Sequence, residues 1–384
     1  MNALLIYPHI PDTFWGFKHA LRLIRKRAGS PPLGLLTVAG MLPEDWKLRL
    51  IDLNVTDLTD EDLDWADCAL VSAMVVQRES AHEVISRCKA GGLTVIAGGP
   101  IFSSEHERFE DVDHFVLGEA ELTLPLFLSD FSAGRARRMY QPDGYPALEK
   151  TPVPRWDLVD PRHYASRNIQ YSRGCPHNCD FCSVTQLFGH RPRTKSAAQI
   201  IAELDSLYDL GWRGTVGFVD DNLIGNRKAL TTELLPALIE WRQGKWGMTF
   251  STQVTLDLAD DDDLMAMMVR AGFDTVFVGI ESVNEESLVE CNKRQNKDRD
   301  LLADVRRIQH AGMIVQGGFI VGFDHDTPGV FERMSAFMQQ SGIATAMVGL
   351  LQAPAGTKLY ERLSSQGRIR QDMSGDNADG TTNI

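Results

Sequence analysis

The sequence predicts an α/β protein built on two successive parallel sheets. Short apolar runs alternate with helical segments along most of the chain, which is the pattern of strands joined by crossover helices. Five prolines between residues 142 and 161 interrupt this alternation, and such a stretch indicates a boundary between domains. We therefore expect one domain at 1–135, a linker at 136–165, a second domain at 166–352 and a C-terminal extension at 353–384.

The first domain is expected to be a doubly wound, Rossmann-like sheet of the flavodoxin type with about five strands. Helical patterns at 33–42 and 80–89 lie between its β-type runs, and glycines close several of the runs. Ligands of such sheets bind beyond the carboxyl ends of the strands, where the strand order reverses. The predicted strands are 3–7, 48–53, 69–75, 94–97 and 114–117.

The second domain is expected to be a partial (β/α)6 barrel of the TIM type. Its β-type runs are separated by longer helical patterns than those of the first domain. In barrels of this type the chemistry takes place at the carboxyl ends of the strands. The six predicted strands are 168–172, 215–219, 248–254, 275–280, 314–321 and 344–350.

Composition narrows the class of protein. The chain has 39 basic and 52 acidic residues, a net charge of −13, and this balance argues against a nucleic-acid partner. No apolar run approaches the ~18 residues that a transmembrane helix needs. The first eleven residues lack a basic leader, so they do not predict a signal peptide. We therefore expect a cytoplasmic protein whose six cysteines remain reduced.

Three of these cysteines form the strongest motif of the chain. Cys175, Cys179 and Cys182 have the spacing C-x-x-x-C-x-x-C directly after the first predicted barrel strand. Three thiolates on a short loop can bind three irons of a [4Fe–4S] cluster, which leaves the fourth iron open to a ligand with an amine and a carboxylate. The alternatives are a structural zinc with His177 or His190 as the fourth ligand, or a disulfide with one free thiol.

The segment 170–182, which reads QYSRGCPHNCDFC, resembles the cluster loop of the radical S-adenosylmethionine (SAM) superfamily. Together with the flavodoxin-like first domain, the partial barrel resembles the cobalamin-binding branch of that superfamily over nearly the whole chain. The resemblance implies a [4Fe–4S] cluster, SAM and cobalamin as cofactors, and an electron donor such as flavodoxin or ferredoxin. It also implies that the backbone at Phe181 meets the adenine of SAM.

The same resemblance implies SAM contacts at the ends of successive barrel strands. Asp221, with Asp220 as the alternative, replaces the glutamate that commonly binds the SAM amino group. The competing interpretation is an acidic cap for a helix that begins near Asn226. A glycine-rich strand end can also serve tight packing alone. The remaining candidates, which follow the third, fourth and fifth strands, are Gln253, Glu281, Ser282, Gly318 and Gly322.

The first domain departs from the best-known cobalamin motif, D-x-H-x-x-G. His9 follows the first strand without that spacing, so we interpret it as a loop residue and expect cobalamin to bind without a histidine ligand. The alternative is a degenerate domain that serves as a scaffold or a dimer surface. The cobalamin contacts implied by the resemblance are Ser72, Gly98, Gly99, Gly118 and Glu119.

The segment 15–27 has the pattern of a short basic amphipathic helix. Phe17, Leu21 and Ile24 fall at helical spacing among five Lys and Arg residues. An anionic membrane, corrin carboxylates and water are the candidate neighbours for this helix. We favour water.

The activity that the resemblance implies is reductive cleavage of SAM to a 5′-deoxyadenosyl radical, followed by methylation of an unactivated carbon in a small-molecule or lipid substrate. Relatives of the same branch also catalyse rearrangements and cyclisations without methyl transfer. A regulatory protein that binds metal or cobalamin without catalysis is the third interpretation. The chain most resembles proteins with a further C-terminal domain, which we expect to be missing here.

Overall fold

Both halves of the chain are α/β structures. The computed structural model divides the chain into two compact units, each built on one six-stranded parallel sheet, and this confirms the predicted fold class. The first unit comprises Met1–Arg167 and Ala202–Leu210, and the second comprises Asn168–Ile201 and Gly211–Ile384. The residues described by the structure are 1–13, 16–370, 373, 375 and 380–384.

The sheet of the first unit has the strand order β2-β1-β3-β4-β5-β6, and neighbouring strands are parallel throughout. Because β1 lies between β2 and β3, the order reverses there, as in flavodoxin-like sheets. One strand more is present than the sequence predicts. The strands are β1 (Asn2–Tyr7), β2 (Lys47–Asp52), β3 (Cys68–Ser72), β4 (Thr94–Gly98), β5 (His114–Val116) and β6 (Met139–Tyr140).

Helices cover both faces of this sheet. Along β1, Leu4 and Ile6 belong to one buried cluster, whereas Ala3 and Leu5 belong to another. Alternate residues of a strand point to opposite faces, so the sheet is buried on both sides. The helices are α1 (Lys18–Leu23), α2 (Leu33–Ala39), α3 (Asp60–Trp65), α4 (Arg78–Ala90), α5 (Pro100–Glu105) and α6 (Ala120–Ser132).

The segment 136–165, which the sequence predicts as a linker, belongs to the first compact unit. It contains β6 and buries the side chains of Tyr140, Trp156 and Tyr164. These aromatic residues are separated by prolines and short turns, so they follow no helical or strand period. Periodicity alone therefore gives no sign of their burial.

The sheet of the second unit has the strand order β14-β13-β12-β11-β10-β7. The pairs from β10 to β14 are parallel, as expected for successive β/α units. A separate antiparallel pair, β8 (Ser172–Arg173) and β9 (Arg193–Thr194), follows β7. The six sheet strands are β7 (Arg167–Ile169), β10 (Thr215–Phe218), β11 (Thr249–Val254), β12 (Phe273–Glu281), β13 (Ile314–Val321) and β14 (Thr345–Leu350).

Helix α10 (Leu235–Trp241) packs against one face of this sheet at β11. Phe250 of β11 packs against Trp241 and against Phe218 and Phe273, with ring centroids 6.3, 5.3 and 5.5 Å away. Because side chains alternate along a strand, Gln253 lies on the opposite face of β11 from Phe250. The helices are α7 (Val184–Phe188), α8 (Ala197–Asp209), α9 (Arg227–Ala229), α10 (Leu235–Trp241), α11 (Asp262–Ala271), α12 (Glu285–Glu290), α13 (Leu301–His310), α14 (Val330–Ser341) and α15 (Lys358–Ser365).

Helix length bears on membrane association. Among the described residues, no helix is long and apolar enough to cross a bilayer. The longest described helices have thirteen residues, as in α4 and α6. A span needs about 20 residues.

Candidate functional site

The three motif cysteines lie on one loop that the β8–β9 pair closes at its base. Cys175, Cys179 and Cys182 are free thiols, each half-buried. The antiparallel pairing of Ser172 with Thr194 and of Arg173 with Arg193 brings the two ends of the loop together. The motif therefore forms a closed excursion, which we call the cysteine loop (residues 174–192).

Gly174 sets the entry angle of the cysteine loop. Its φ is +93°, and a Cβ atom there would lie 2.9–3.0 Å from the carbonyl oxygens of Gly189, Arg191 and Phe188. No L side chain fits this position without moving backbone. The amide of Cys175 donates to the oxygen of Gly189 at 3.3 Å, which holds the first thiol beside the far end of the loop.

The three thiols of the cysteine loop lie close enough to influence one another, because Cys179 and Cys175 both act on the pKa of Cys182. Within the described part of the chain, no group of three or more His, Cys, Asp or Glu side chains is gathered to hold one metal ion. Burial, together with the neighbouring thiols and Asp221, raises the pKa of the Cys182 thiol to about 11. A bound metal would deprotonate such a thiol.

A second segment, residues 291–296, braces the cysteine loop. The amide of Asp180 donates to the oxygen of Cys291 at 3.0 Å, and Nδ2 of Asn292 donates to the oxygen of Asn178 at 2.7 Å. Nε2 of Gln295 donates to Sγ of Cys179 at 3.6 Å. We call this segment the brace. The brace lies between α12 and α13, and its contacts with the cysteine loop follow from no periodicity of the sequence.

A buried ion pair joins the brace to the end of β12. Nζ of Lys293 lies 2.7 Å from Oε1 of Glu281, and both side chains are at most one-tenth exposed. Burial opposes the charge of Lys293, but Glu281 and then Cys179 raise its pKa above the ordinary value. A positive charge is therefore fixed beside the cysteine loop. Gly279 leaves room for this pair, since a Cβ atom there would lie 2.9 Å from Nζ of Lys293.

Glu281 itself has a strained backbone. Its φ is +65°, which is uncommon for a residue other than glycine. Nδ2 of Asn296 donates to the oxygens of Gly279 and Ile280, each at 3.0 Å, and thereby supports this conformation. Among the described residues, buried Oδ1 of Asn296 has no hydrogen-bond partner. The turn after β12 therefore combines strain with an unpaired polar atom.

Asp220 and Asp221, which follow β10, have different surroundings. Asp220 is buried and accepts from the amides of Tyr171 and Ser172 and, at 2.6 Å, from the hydroxyl of Ser172. Asp221 accepts from the amide of Gly174, but its buried Oδ2 has no partner among the residues described by the structure. Burial raises the pKa of each carboxyl to about 6. Asp220 is therefore occupied within the fold, whereas Asp221 has an oxygen left for a ligand.

The helix-cap interpretation of Asp221 is wrong. The cap of α9 is Asn226, whose side chain accepts from the amide of Ala229 at 3.2 Å. The short turn Leu223–Asn226 before it has no side-chain cap. Asp221 instead faces the cysteine loop, where its charge raises the pKa values of two thiols.

The other predicted SAM contacts are spread over the following strand ends. Gln253 is exposed near the end of β11, and buried Ser282 accepts from the amide of Asn284 at 3.1 Å. Gly318 of β13 is needed within the fold, because a Cβ atom there would lie 2.8 Å from the ring of Phe277. The last two candidates also have structural partners: Phe181 packs against the buried cluster that contains Phe323 and Leu351, and Gly322 has a φ of +106° and donates to Asp326 at 2.9 Å.

The predicted cobalamin contacts lie at the carboxyl ends of β3, β4 and β5. Ser72 ends β3, and a Cβ atom on the neighbouring Gly99 would lie 2.5 Å from its hydroxyl. A Cβ atom on Gly98 would lie 2.7 Å from the oxygen of Val116, and one on Gly118 would lie 2.5 Å from the ring of Pro142. Buried Glu119 follows directly. These glycines are therefore required by the close packing of the protein's own atoms at this sheet edge.

The edge of the same sheet at β1 and β2 holds a polar network that the sequence did not reveal. Oδ2 of buried Asp52 accepts from the hydroxyl of Tyr164 at 3.0 Å, and its Oδ1 accepts from Nδ2 of Asn54 at 2.7 Å. Oδ1 of Asn54 accepts from the amide of Ile10 at 2.9 Å. The amide of His9 donates to Ser80 at 2.9 Å. The loop after β1 is thus fixed by side chains.

Each half of the chain matches a known protein family. Residues 169–338 match the radical SAM superfamily, and residues 24–128 match the B12 binding domain. The second match contains all five predicted cobalamin contacts. The first contains the three cysteines and every predicted SAM contact.

Individual proteins give the same result. The chain is 41% identical to an uncharacterized methyltransferase of Synechocystis sp., over 98% of this chain and 70% of that protein. It is 35% identical to the hopanoid C-2 methylase of Rhodopseudomonas palustris, over 97% and 71%. The fold is similar to that of the radical SAM methyltransferase TsrM of Kitasatospora setae, with a TM-score of 0.74 at 16% identity, covering 96% of this chain and 76% of that one.

Proposed function

The chain belongs to the cobalamin-binding branch of the radical SAM enzymes, and from this membership we propose that it methylates an unactivated carbon of a small-molecule or lipid substrate. One observation carries the proposal beyond the family. The unpaired Oδ2 of Asp221 is buried beside a loop of three free thiols. A carboxylate oxygen in that position is suited to the amino group of a ligand bound at the open iron of a cluster.

We assign the cluster to the cysteine loop. Cys175, Cys179 and Cys182 would each bind one iron, and Gly174 keeps the loop tight enough to hold them together. When bound, the reduced cluster supplies the electron that cleaves SAM, and cobalamin carries the methyl group. A one-electron donor such as flavodoxin or ferredoxin is then required.

We assign SAM to the strand ends around this loop. Asp221 would accept a hydrogen bond from the SAM ammonium, and the exposed amide of Gln253 would contact the polar part of the cofactor. Glu281 and Ser282 are held by Lys293 and by the turn after β12, so they would present fixed polar groups. Phe181, Gly318 and Gly322 would leave a flat surface for the adenine ring.

We assign cobalamin to the edge formed by β3, β4 and β5. Ser72, Gly98 and Gly99 would lie under the corrin ring, and Gly118 and Glu119 would lie near its nucleotide tail. The small side chains let a large ring approach the backbone, and parallel sheets bind ligands at this edge. The similarity to a hopanoid methylase makes a lipid the first substrate class to test.

Anaerobic reconstitution with iron, sulfide and hydroxocobalamin tests the proposal. After reduction with SAM, we expect 5′-deoxyadenosine, S-adenosylhomocysteine and retained cobalamin. A second reaction contains the unmethylated precursor of a candidate lipid. If it yields 5′-deoxyadenosine without S-adenosylhomocysteine, the result would favour a rearrangement instead. A protein that holds zinc and no cluster would contradict the assignment.

Two variants locate the sites. Cys179→Ala should abolish the visible absorbance of the cluster, whereas Cys88→Ala, which removes a buried free thiol of the first unit, should leave it intact. Asp221→Asn should retain the cluster but weaken SAM binding by about tenfold, the usual size of a lost charge-assisted hydrogen bond. Unchanged SAM affinity in that variant would remove Asp221 from the SAM site.

A further inference from the structure

Helix α1 exposes most of its apolar side chains. None of the residues of Lys18–Leu23 is buried, and apolar side chains next to and within the helix are largely exposed: Phe17 by 56%, Leu23 by 87% and Ile24 by 58%. A helix of six residues is not stable in isolation, and most short helices are held by packing of one face. Here Leu21 is half-buried, whereas the other described apolar side chains of the pattern face the surroundings.

The charge of the same segment is opposite to that of the whole chain. Residues 18–27 contain five Lys and Arg and no Asp or Glu, whereas the full chain has a net charge of −13. We call residues 17–27 the α1 segment. Arg22 and Arg25 are exposed beside Leu23 and Ile24. The part of the predicted amphipathic pattern that includes Trp15 lies outside the described residues.

The C-terminal end of the α1 segment is bound to the rest of its unit. Nζ of Lys26 donates to the oxygen of Arg162 at 3.1 Å, and Nη1 of Arg27 donates to the oxygen of Val55 at 2.7 Å. The amide of Arg27 donates to the oxygen of His163 at 2.9 Å. These bonds fix the C-terminal end of the segment, so Leu23 and Ile24 project from a defined place on the surface.

We propose that the α1 segment docks the protein on the surface of an anionic lipid bilayer. Apolar side chains surrounded by Arg and Lys match a membrane interface, where the apolar groups enter the acyl boundary and the cations meet the headgroups. A nucleic acid would neutralise the cations but leave Leu23 and Ile24 in water. This proposal replaces the interpretation of α1 as a solvated helix, and it does not depend on the proposed methylation.

The size of the segment predicts weak and reversible binding. Three exposed apolar side chains bury little area, and single weak anchors need a second signal for stable attachment. The second signal here is electrostatic, so binding should weaken with salt. We expect peripheral association that is lost at high ionic strength.

Sedimentation of the full chain with vesicles tests the proposal without any cofactor or substrate. The protein should sediment with vesicles of phosphatidylcholine and phosphatidylglycerol, and not with phosphatidylcholine alone. Arg22→Glu with Arg25→Glu should reduce binding by at least about tenfold, because each cation near such a surface contributes to the attraction. Leu23→Gln with Ile24→Gln should also reduce it.

Matched changes elsewhere on the first unit provide the controls. Leu126→Gln removes an apolar side chain that is 57% exposed, and Arg108→Glu reverses an exposed charge. Both variants should bind vesicles as the unchanged protein does. Equal binding to both vesicle types, or full binding by the Arg22 and Arg25 variant, would overturn the proposal. The proposal would also be overturned if the protein bound an RNA oligonucleotide but not vesicles, and if Leu23→Gln left the RNA binding unchanged.

Discussion

The buried polar groups at the strand ends of the two sheets differ in how fully they are hydrogen-bonded. At the end of β2, both oxygens of buried Asp52 have partners, in Tyr164 and Asn54. After β10, the buried Oδ2 of Asp221 has none among the described residues, and the same holds for Oδ1 of Asn296 after β12. One edge is completed by the protein's own side chains, and the other is left incomplete.

We interpret this difference as a separation of structural from functional polar groups. A buried polar atom without a partner costs roughly 1–3 kcal/mol, so such atoms are uncommon unless a ligand satisfies them. Asp52 and Asn54 hold the loop after β1 in place, which is a structural task. Asp221 faces the cysteine loop and Asn296 lies in the brace, which agrees with our proposal that a ligand binds beside this loop. The predictions below test this separation.

Lys293→Met should produce the largest loss of stability, because it leaves the buried carboxylate of Glu281 without its ion-pair partner. Glu281 would remain buried without its partner, and breaking one half of a buried ion pair costs about 3–5 kcal/mol. Urea unfolding of the protein without cofactors measures this loss. The double variant with Glu281→Gln should recover most of the stability. An equal loss in the single and double variants would mean that Lys293 acts through packing.

The adjacent carboxylates should respond differently to alanine. Asp220→Ala leaves the amides of Tyr171 and Ser172 buried without an acceptor and should lower the free energy of unfolding by about 3 kcal/mol. Asp221→Ala removes a carboxylate that is already half unpaired and should change it by less than about 1 kcal/mol. Urea unfolding compares the two variants. Similar losses would show that Asp221 also supports the fold.

The sequence was sufficient to predict the architecture and the cysteine loop. Parallel strands buried on both sides appear as short apolar runs, and the three thiols are close in sequence, so neither depends on long-range contacts. β6 was missed because two residues give no period. The linker prediction at 136–165 failed to indicate burial for the same reason, since Trp156 and Tyr164 are isolated aromatic residues among prolines.

The surroundings of the site were less accessible to sequence reasoning. Asp220 and Asp221 are neighbours of the same type, and only the position of Ser172, 48 residues earlier, shows which carboxylate is occupied. Lys293 and Gln295 approach the loop from a segment more than 100 residues downstream. Such pairings form only when segments that are distant in the sequence come together in the fold. The individual cofactor contacts remain predictions.

Stability should depend on pH through Asp220 in the direction opposite to an ordinary ion pair. Burial raises the pKa of this carboxyl to about 6, above its unfolded value near about 4. The folded state then binds more protons than the unfolded state between these values, so stability falls as the pH rises from about 4 to 6. Thermal unfolding across this range should show the slope. Asp220→Asn together with Asp221→Asn should flatten it, because burial raises the pKa of Asp221 to about 6 as well.

Asp130→Asn serves as the control for that slope. The hydroxyl of Tyr140 and the Arg135 guanidinium hold the pKa of Asp130 below its ordinary value. Its contribution is therefore present above the unfolded pKa and disappears only in more acidic solution. The decrease of stability between about pH 4 and 6 should therefore be unchanged in this variant. A slope that persists in the double variant of Asp220 and Asp221 would assign the titration to other groups.

The smallest effect is expected at the sulfur of Cys179. The amide of Gln295 donates to this sulfur, and hydrogen bonds to cluster sulfurs favour the more negative, reduced state. Gln295→Leu should therefore lower the midpoint potential of the reconstituted cluster, as followed by electron paramagnetic resonance during a redox titration. Gln309→Leu removes a similar amide that bonds to Gly342 and should leave the potential unchanged. Because the fold is intact in both variants, an unchanged potential for Gln295→Leu would mean that the brace orients the loop without tuning the cluster.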